Sequence, residues 1–220
     1  MPYLNRMLRP APRSRDLLEL FLGYGLIVLI LWLPESRQRI LSPIALIFTL
    51  AIVLVRRPTL TDLGLSCRGL FRSLWILPAA LLLALASVFV AKQIGTLHPL
   101  YKGDLKHVTG YVLWTLYQQF LLNDYFMPRL TRLLPTANAA VAAAVLFALA
   151  HLPNLPLTAA TLLWGAISCA LFRRYHNLYA LGLAQGLLGL CFAICVPDSI
   201  NHHLRVGLGY LRYHASQPNP

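Results

Sequence analysis

Two adjacent amides, Gln118 and Gln119, sit inside the apolar stretch WTLYQQFLLNDYFMPRL, and Asn123 and Asp124 follow about one helical turn later. His151 and Asn154 end a later apolar run, and Gln185 lies within the last one. Amides accept and donate hydrogen bonds but cannot act as bases, so of these groups only Asp124 and His151 can exchange a proton near neutral pH. On a helix Gln119 and Asn123 share one face, while Gln118 and Leu122 share the next. Asp124 falls six residues past Gln118, about 240° round an α-helix, and points away from the Gln118 face. Arg129 nearby offers that carboxylate an ion-pair partner. Any one of these groups serves equally well as interhelical glue, contributing on the order of 0.6–2 kcal/mol.

The elements that must position these groups are membrane helices. The chain is 58% hydrophobic and 12% charged, with a mean hydropathy of +0.62, whereas soluble domains carry about 25% charged residues. Apolar stretches recur at Leu17–Leu33, Leu41–Val55, Leu74–Ala91, Tyr111–Met127, Ala139–Leu152, Leu157–Phe172 and Leu178–Val196. Several approach the ~20 residues needed to cross a bilayer, and none shows the period-two alternation of a membrane barrel. The expected fold is all-α, a polytopic bundle of about seven (six to eight) transmembrane helices. It divides into a basic arm (1–15), a transmembrane domain (16–197) and a polar tail (198–220) in which an interfacial helix is plausible. Polar side chains at membrane depth must find partners or face a cavity, so a bundle that turns His151 and Gln185 toward the span-four amides would enclose one polar pocket.

A formal charge of +12 does not here point to nucleic acid, because the basic residues cluster between spans. The arm has Arg6, Arg9, Arg13 and Arg15, and later loops have Arg56, Arg57, Arg68, Arg72, Arg129, Arg132, Arg173 and Arg174. That is twelve of the nineteen Lys and Arg on one side, which the positive-inside rule assigns to the cytoplasm together with the N-terminus. The expected location is an inner or plasma membrane, with lipids and a membrane-protein partner or larger complex as companions. Cys67, Cys169, Cys191 and Cys195 lack zinc or CxxC spacing, so Cys191 and Cys195 read as small packing residues. His151 with amides is a poor ligand set for a metal. The tail group Asp198, His202, His203 and His214 reads as solvated, and neither a metal nor another cofactor is expected. Further expectations are a kink in the third span at Pro78, an amphipathic connector over Arg56–Arg72, and a short basic linker bracketed by Pro128 and Pro135.

Over roughly Val112–Ile194 the pattern resembles the type II CAAX prenyl protease family, also called the bacteriocin-processing or abortive-infection (CPBP) family of glutamic intramembrane proteases. The family's first motif is two adjacent glutamates, three residues, then arginine; here the frame reads Gln118-Gln119-Phe120-Leu121-Leu122-Asn123, and Met127-Pro128-Arg129-Leu130 matches the frequent ending. The second is phenylalanine, three residues, histidine, matched by Phe147 and His151, with the frequent asparagine at Asn154. The third is histidine, three residues, then Asn or Asp, and the matching frame is Gln185 to Gly189. The resemblance implies glutamates that activate water, and His and Asn that stabilise an oxyanion. The site positions it carries over are Gln118, Gln119, Asn123, His151 and Gln185, with Phe147, Asn154 and Asp124 around the pocket.

At those positions the chemistry departs from the family's. Both glutamates, the arginine and the late histidine have been exchanged for amides, and removing opposite charges together avoids leaving one buried charge unpaired. Only Glu19 and Glu35 remain in the whole chain, both near the first span. The expectation is a proteolytically silent relative, a binding or structural subunit whose neutral pocket takes a helix, lipid, prenyl-like chain or pigment. The alternative is an active intramembrane endopeptidase with a variant centre around His151, in which Asp124 is the other acid–base group.

Overall fold

A computed structural model describes residues 13–67, 69–101 and 103–213. Arg6, Arg9, Arg68 and His214, and with them most of the basic arm and the end of the tail, lie outside the described residues. Every apolar stretch forms a helix: α1 (Arg13–Leu31), α2 (Glu35–Leu54), the short α3 (Leu70–Ser73) leading into α4 (Ile76–Ile94), α5 (Leu105–Phe120), a π-helical segment (Leu121–Phe126) running into α6 (Met127–Leu133), α7 (Thr136–Leu149), α8 (Leu155–Tyr175) and α9 (Leu178–Cys195). Two further short helices, α10 (Asp198–Asn201) and α11 (Gly207–Leu211), follow. Among the described residues four segments are long and apolar enough to cross a membrane: Glu35–Leu54, Leu70–Ile94, Leu155–Tyr175 and Leu178–Cys195. The protein is an all-α membrane bundle. Its outer faces are apolar, as at Leu82, Leu85 and Phe89 on α4, all more than half exposed, which is how a helix meets lipid rather than water.

Proline explains three departures from the expected boundaries. Pro78 does not bend α4 itself, in whose first turn it sits; the span Leu70–Ile94 is instead interrupted at Leu74–Trp75, where a proline ring at 78 would crowd the carbonyl four residues back. α2 starts at Glu35 behind Pro34 and passes through Pro43, so it begins six residues before its apolar run. Pro128 does not start a linker; the helical path continues through it to Leu133. A proline ring would clash with the carbonyl four residues back, here Asp124, and the backbone widens just upstream, with Met127 N–H donating to Leu122 O. Such π turns and prolines are the usual causes of a bent helix.

The connector between α2 and α3 consists of turns rather than an amphipathic helix. It is stitched to the α8–α9 junction: His176 Nε2 lies 2.9 Å from Asp62 O, and Leu178 N donates to Gly64 O at 2.9 Å. Asn177 then caps α9, its side chain accepting from Ala180 N at 3.0 Å.

α9 packs against both α4 and α5, and α7 lies along α8. The α5–α9 approach depends on glycine: a Cβ at Gly182 would come within 2.4 Å of the Leu116 side chain, and one at Gly189 within 2.0 Å of the Tyr111 hydroxyl. Small residues at such crossings let backbones approach and polar groups bond across, as Thr115 Oγ1 does to Gly182 O at 2.9 Å. This contact carries Gln185 to the amides of α5.

Candidate functional site: an amide cluster on an apolar cavity

Gln119 is fully buried, and its side chain has a partner for both heteroatoms. Its Nε2 donates to Gln185 Oε1 at 2.5 Å, and its Oε1 accepts from Ser168 Oγ at 2.5 Å and Asn123 Nδ2 at 2.9 Å. Gln185 Nε2 in turn donates to Gln118 Oε1, and Trp164 Nε1 donates to Gln185 Oε1 at 3.1 Å. α5, the π segment, α8 and α9 each contribute. Trp164 and Ser168, one turn apart on α8, belong to the cluster but were missed in the sequence. A Ser four residues past a Trp on an apolar helix is a weak sign of a shared polar face.

The cluster borders a cavity of about 690 Å³ whose wall is mostly apolar, built from α1, α2, α4, α5, α7, α8 and α9. Gln118, Gln185, His151 and Phe147 line it. Gln119 and Asn123 stand behind that wall and tie it together. Tyr111, Tyr117, Trp114 and Trp164 supply aromatic surface, and Cys191 and Cys195, with their sulfurs 3.7 Å apart, are part of the lining. No Asp or Glu is among the residues lining this cavity.

His151 is positioned by its own helix end. Its Nδ1 sits 2.7 Å from Phe147 O. A carbonyl only accepts, so Nδ1 carries the proton and, in the neutral ring, Nε2 is the acceptor. Phe147 also packs edge-on against the imidazole, with ring centroids 5.0 Å apart. The Phe-x-x-x-His spacing thus holds one residue's carbonyl and ring against the other's imidazole.

Two residues expected around this pocket are placed elsewhere. Asn154 is fully buried at the start of α8, where its Oδ1 accepts from Leu157 N at 3.2 Å. Its Nδ2 donates to Asn201 O at 2.8 Å and Arg205 O at 3.2 Å, so it caps a helix and fastens the segment after α9. That segment crosses the end of the bundle, with Gly207 N donating to Leu152 O at 2.8 Å, and Leu204 and Val206 reach the cavity lining. Asp124 lines a second, separate cavity. It does not pair with Arg129, whose Nε instead meets Glu19 Oε2 at 2.8 Å and whose Nη1 donates to Tyr125 O at 2.6 Å.

Glu19 and Asp16 anchor an ion cluster near the N-terminal end of α1. Arg56 reaches Glu19 Oε2 at 2.8 Å and Asp16 Oδ1 at 3.2 Å, Arg132 Nε donates to Asp16 Oδ2 at 2.6 Å, and Arg15 pairs with Glu19 at 2.8 Å. The remaining glutamate, Glu35, is exposed and pairs with Arg39. Neither glutamate lines the amide cavity.

No curated protein and no solved structure matches the chain. Residues 105–191, from α5 into α9, match the family described as Rce1-like, type II CAAX prenyl endopeptidase Rce1-like. It is to that family that the segment holding the amides, Phe147 and His151 is similar.

Proposed function

We propose that this membrane protein of CAAX-protease-like type binds, without cleaving, an apolar chain that bears a polar end. The observation that carries the reading is the state of the family-site positions: Gln118, Gln119 and Gln185 bond to one another along the cavity. Both heteroatoms of Gln119 and of Gln185 have partners, and none of the three amides can take a proton from water. The cavity has the size and apolar lining expected of a ligand site. A polar end would find Gln118 and the Nε2 of His151, and an aliphatic or prenyl-like tail would lie along α8 and α9.

A photoreactive isoprenoid or acyl probe in proteoliposomes tests this. It should label α8 and α9 in the wild type. Ala160→Trp, which fills the cavity from α8, should reduce labelling about tenfold, the equivalent of losing about 1.4 kcal/mol. Labelling that is unaffected by this substitution refutes the site.

A second reading is favoured by the fixed tautomer of His151, which presents an imidazole acceptor inside the cavity. An endopeptidase built on it would release peptide from membrane-anchored substrates, and His151→Ala would abolish the release. Product formation lost in that variant would replace the binding reading with the catalytic one.

A further inference from the structure

The second cavity, about 290 Å³, lies between the turns after α2 and the helix that runs through the π segment into α6. It sits beside the ion cluster, and its charged lining is Arg56, Arg57, Asp62, Asp124, Arg129 and Arg132; Asp62 Oδ2 already accepts from Thr59 N at 2.9 Å and Thr59 Oγ1 at 2.7 Å. Arg56 and Arg132 are engaged with Asp16 and Glu19. What remains is unusual. Asp124 is 2% exposed, and neither of its carboxylate oxygens has a partner. Arg129 is 1% exposed, and its Nη2 is likewise unpartnered. Arg57 is exposed and occupies the left-handed position after α2 that glycine favours (φ 50°); its backbone N–H donates to Leu54 O at 2.8 Å, and its side chain makes no hydrogen bond or ion pair among the described residues.

A buried carboxylate without a donor is costly, and a free guanidinium N–H nearby would ordinarily donate to it; the Arg129 guanidinium is paired with Glu19 and keeps only Nη2 free. Here the two stand on the wall of one cavity without meeting. Their complement is a small group with charges of both signs: a cation with N–H donors for Asp124, and an anion for Arg57 and the free Nη2 of Arg129. The position narrows the choice. Basic clusters at one end of a membrane bundle lie at headgroup level, where they meet lipid phosphates. Leu54 and Val55, 56% and 69% exposed beside Arg56 and Arg57, offer apolar surface for acyl chains.

We propose that this cavity binds the phosphoethanolamine headgroup of an aminophospholipid, its ammonium on Asp124 and its phosphate on Arg57 and Arg129. A choline headgroup has the same phosphate but no N–H to donate. A glycerol headgroup has hydroxyls but no positive charge to offset the carboxylate. The site is independent of the amide cavity and of what that cavity binds.

The test uses the purified full-length chain, stripped of lipid in detergent. Binding of dihexanoyl phosphatidylethanolamine, phosphatidylcholine and phosphatidylglycerol, and of free phosphoethanolamine, is measured by calorimetry. The ethanolamine lipid should bind about tenfold more tightly than the choline lipid, the scale of one charge-assisted hydrogen-bonded pair. Asp124→Asn should remove that preference while leaving the choline lipid unchanged. Arg57→Gln, an exposed change that leaves the packing intact, should weaken both lipids by a similar factor. Equal affinity for the two lipids, a preference that survives Asp124→Asn, or tighter binding of the glycerol lipid overturns the proposal. Free phosphoethanolamine binding as tightly as the lipid overturns a membrane source for the ligand.

Discussion

Gln119 and Gln118 are neighbours with unequal roles. The Gln119 side chain is fully buried and bonds to Gln185, Ser168 and Asn123, whereas Gln118 lines the cavity and accepts from Gln185. Removing Gln119 would take a bond from the buried Ser168 and Asn123 as well as from Gln185, and removing Gln118 would take one bond from Gln185 beside a cavity. Gln119→Leu should therefore cost about 1–3 kcal/mol and Gln118→Leu under about 1 kcal/mol, measured by denaturant unfolding in micelles. Equal losses would show that the amides do not act as a network. The shared face of Gln119 and Asn123 could be read from helical spacing, and their bond confirms that face. The partner of Arg129 could not be read. Spacing puts Asp124 within reach, but the chain joins Arg129 to Glu19, over a hundred residues away in sequence. Local proximity cannot reveal a contact made when α1 packs against α6.

At the level of elements, α1, the turn after α2 and α6 are joined by charge rather than by packing alone. Glu19 holds the fully buried Arg129 as well as Arg56 and Arg15. Glu19→Ala would leave a guanidinium buried without its counter-ion, and should lower stability by about 3–5 kcal/mol. Arg39→Ala breaks an exposed pair on α2 and should change it by less than about 0.5 kcal/mol. Thermal unfolding of the two variants side by side checks the contrast. The seven apolar runs announced the helices because lipid-facing composition is a strong signal. The boundaries were less legible where proline stood: Pro43 lies well inside α2, and Pro128 continues a helical path behind a widened turn, which depends on backbone geometry that composition does not encode. Asn154 was misjudged for a related reason. An asparagine behind a Pro-containing turn is as good a helix cap as a pocket residue, and the segment from α10 onward, which it also holds, lies about fifty residues further on.

Over the whole molecule, the basic residues after α2, in α6 and at the end of α8 fall at one end, together with the start of α1, and the turn carrying Asn154 falls at the other with the α10–α11 segment. That arrangement supports a cytoplasmic basic end under the positive-inside rule. Cys67 lies on the basic-end connector and is exposed, while Cys169 and Cys191 are buried. In sealed cells a membrane-impermeant maleimide should leave Cys67 unmodified, and permeabilisation should make it the main labelled position. Labelling of intact cells at Cys67 would invert the topology.

The wide turn at Leu121–Phe126 has a consequence for chain length. Its hydrogen bond closes on the fifth residue instead of the fourth, so it holds one residue more than an α-helical turn would. Losing that residue would leave Gln118 and Gln119 where they are and swing the Arg129 side chain off Glu19 by about 100°. Substitutions within the segment are constrained by what they touch; a deletion there would be intolerable whatever residue it removed, because the number of residues keeps Gln118 on one cavity while Asp124 and Arg129 line the other.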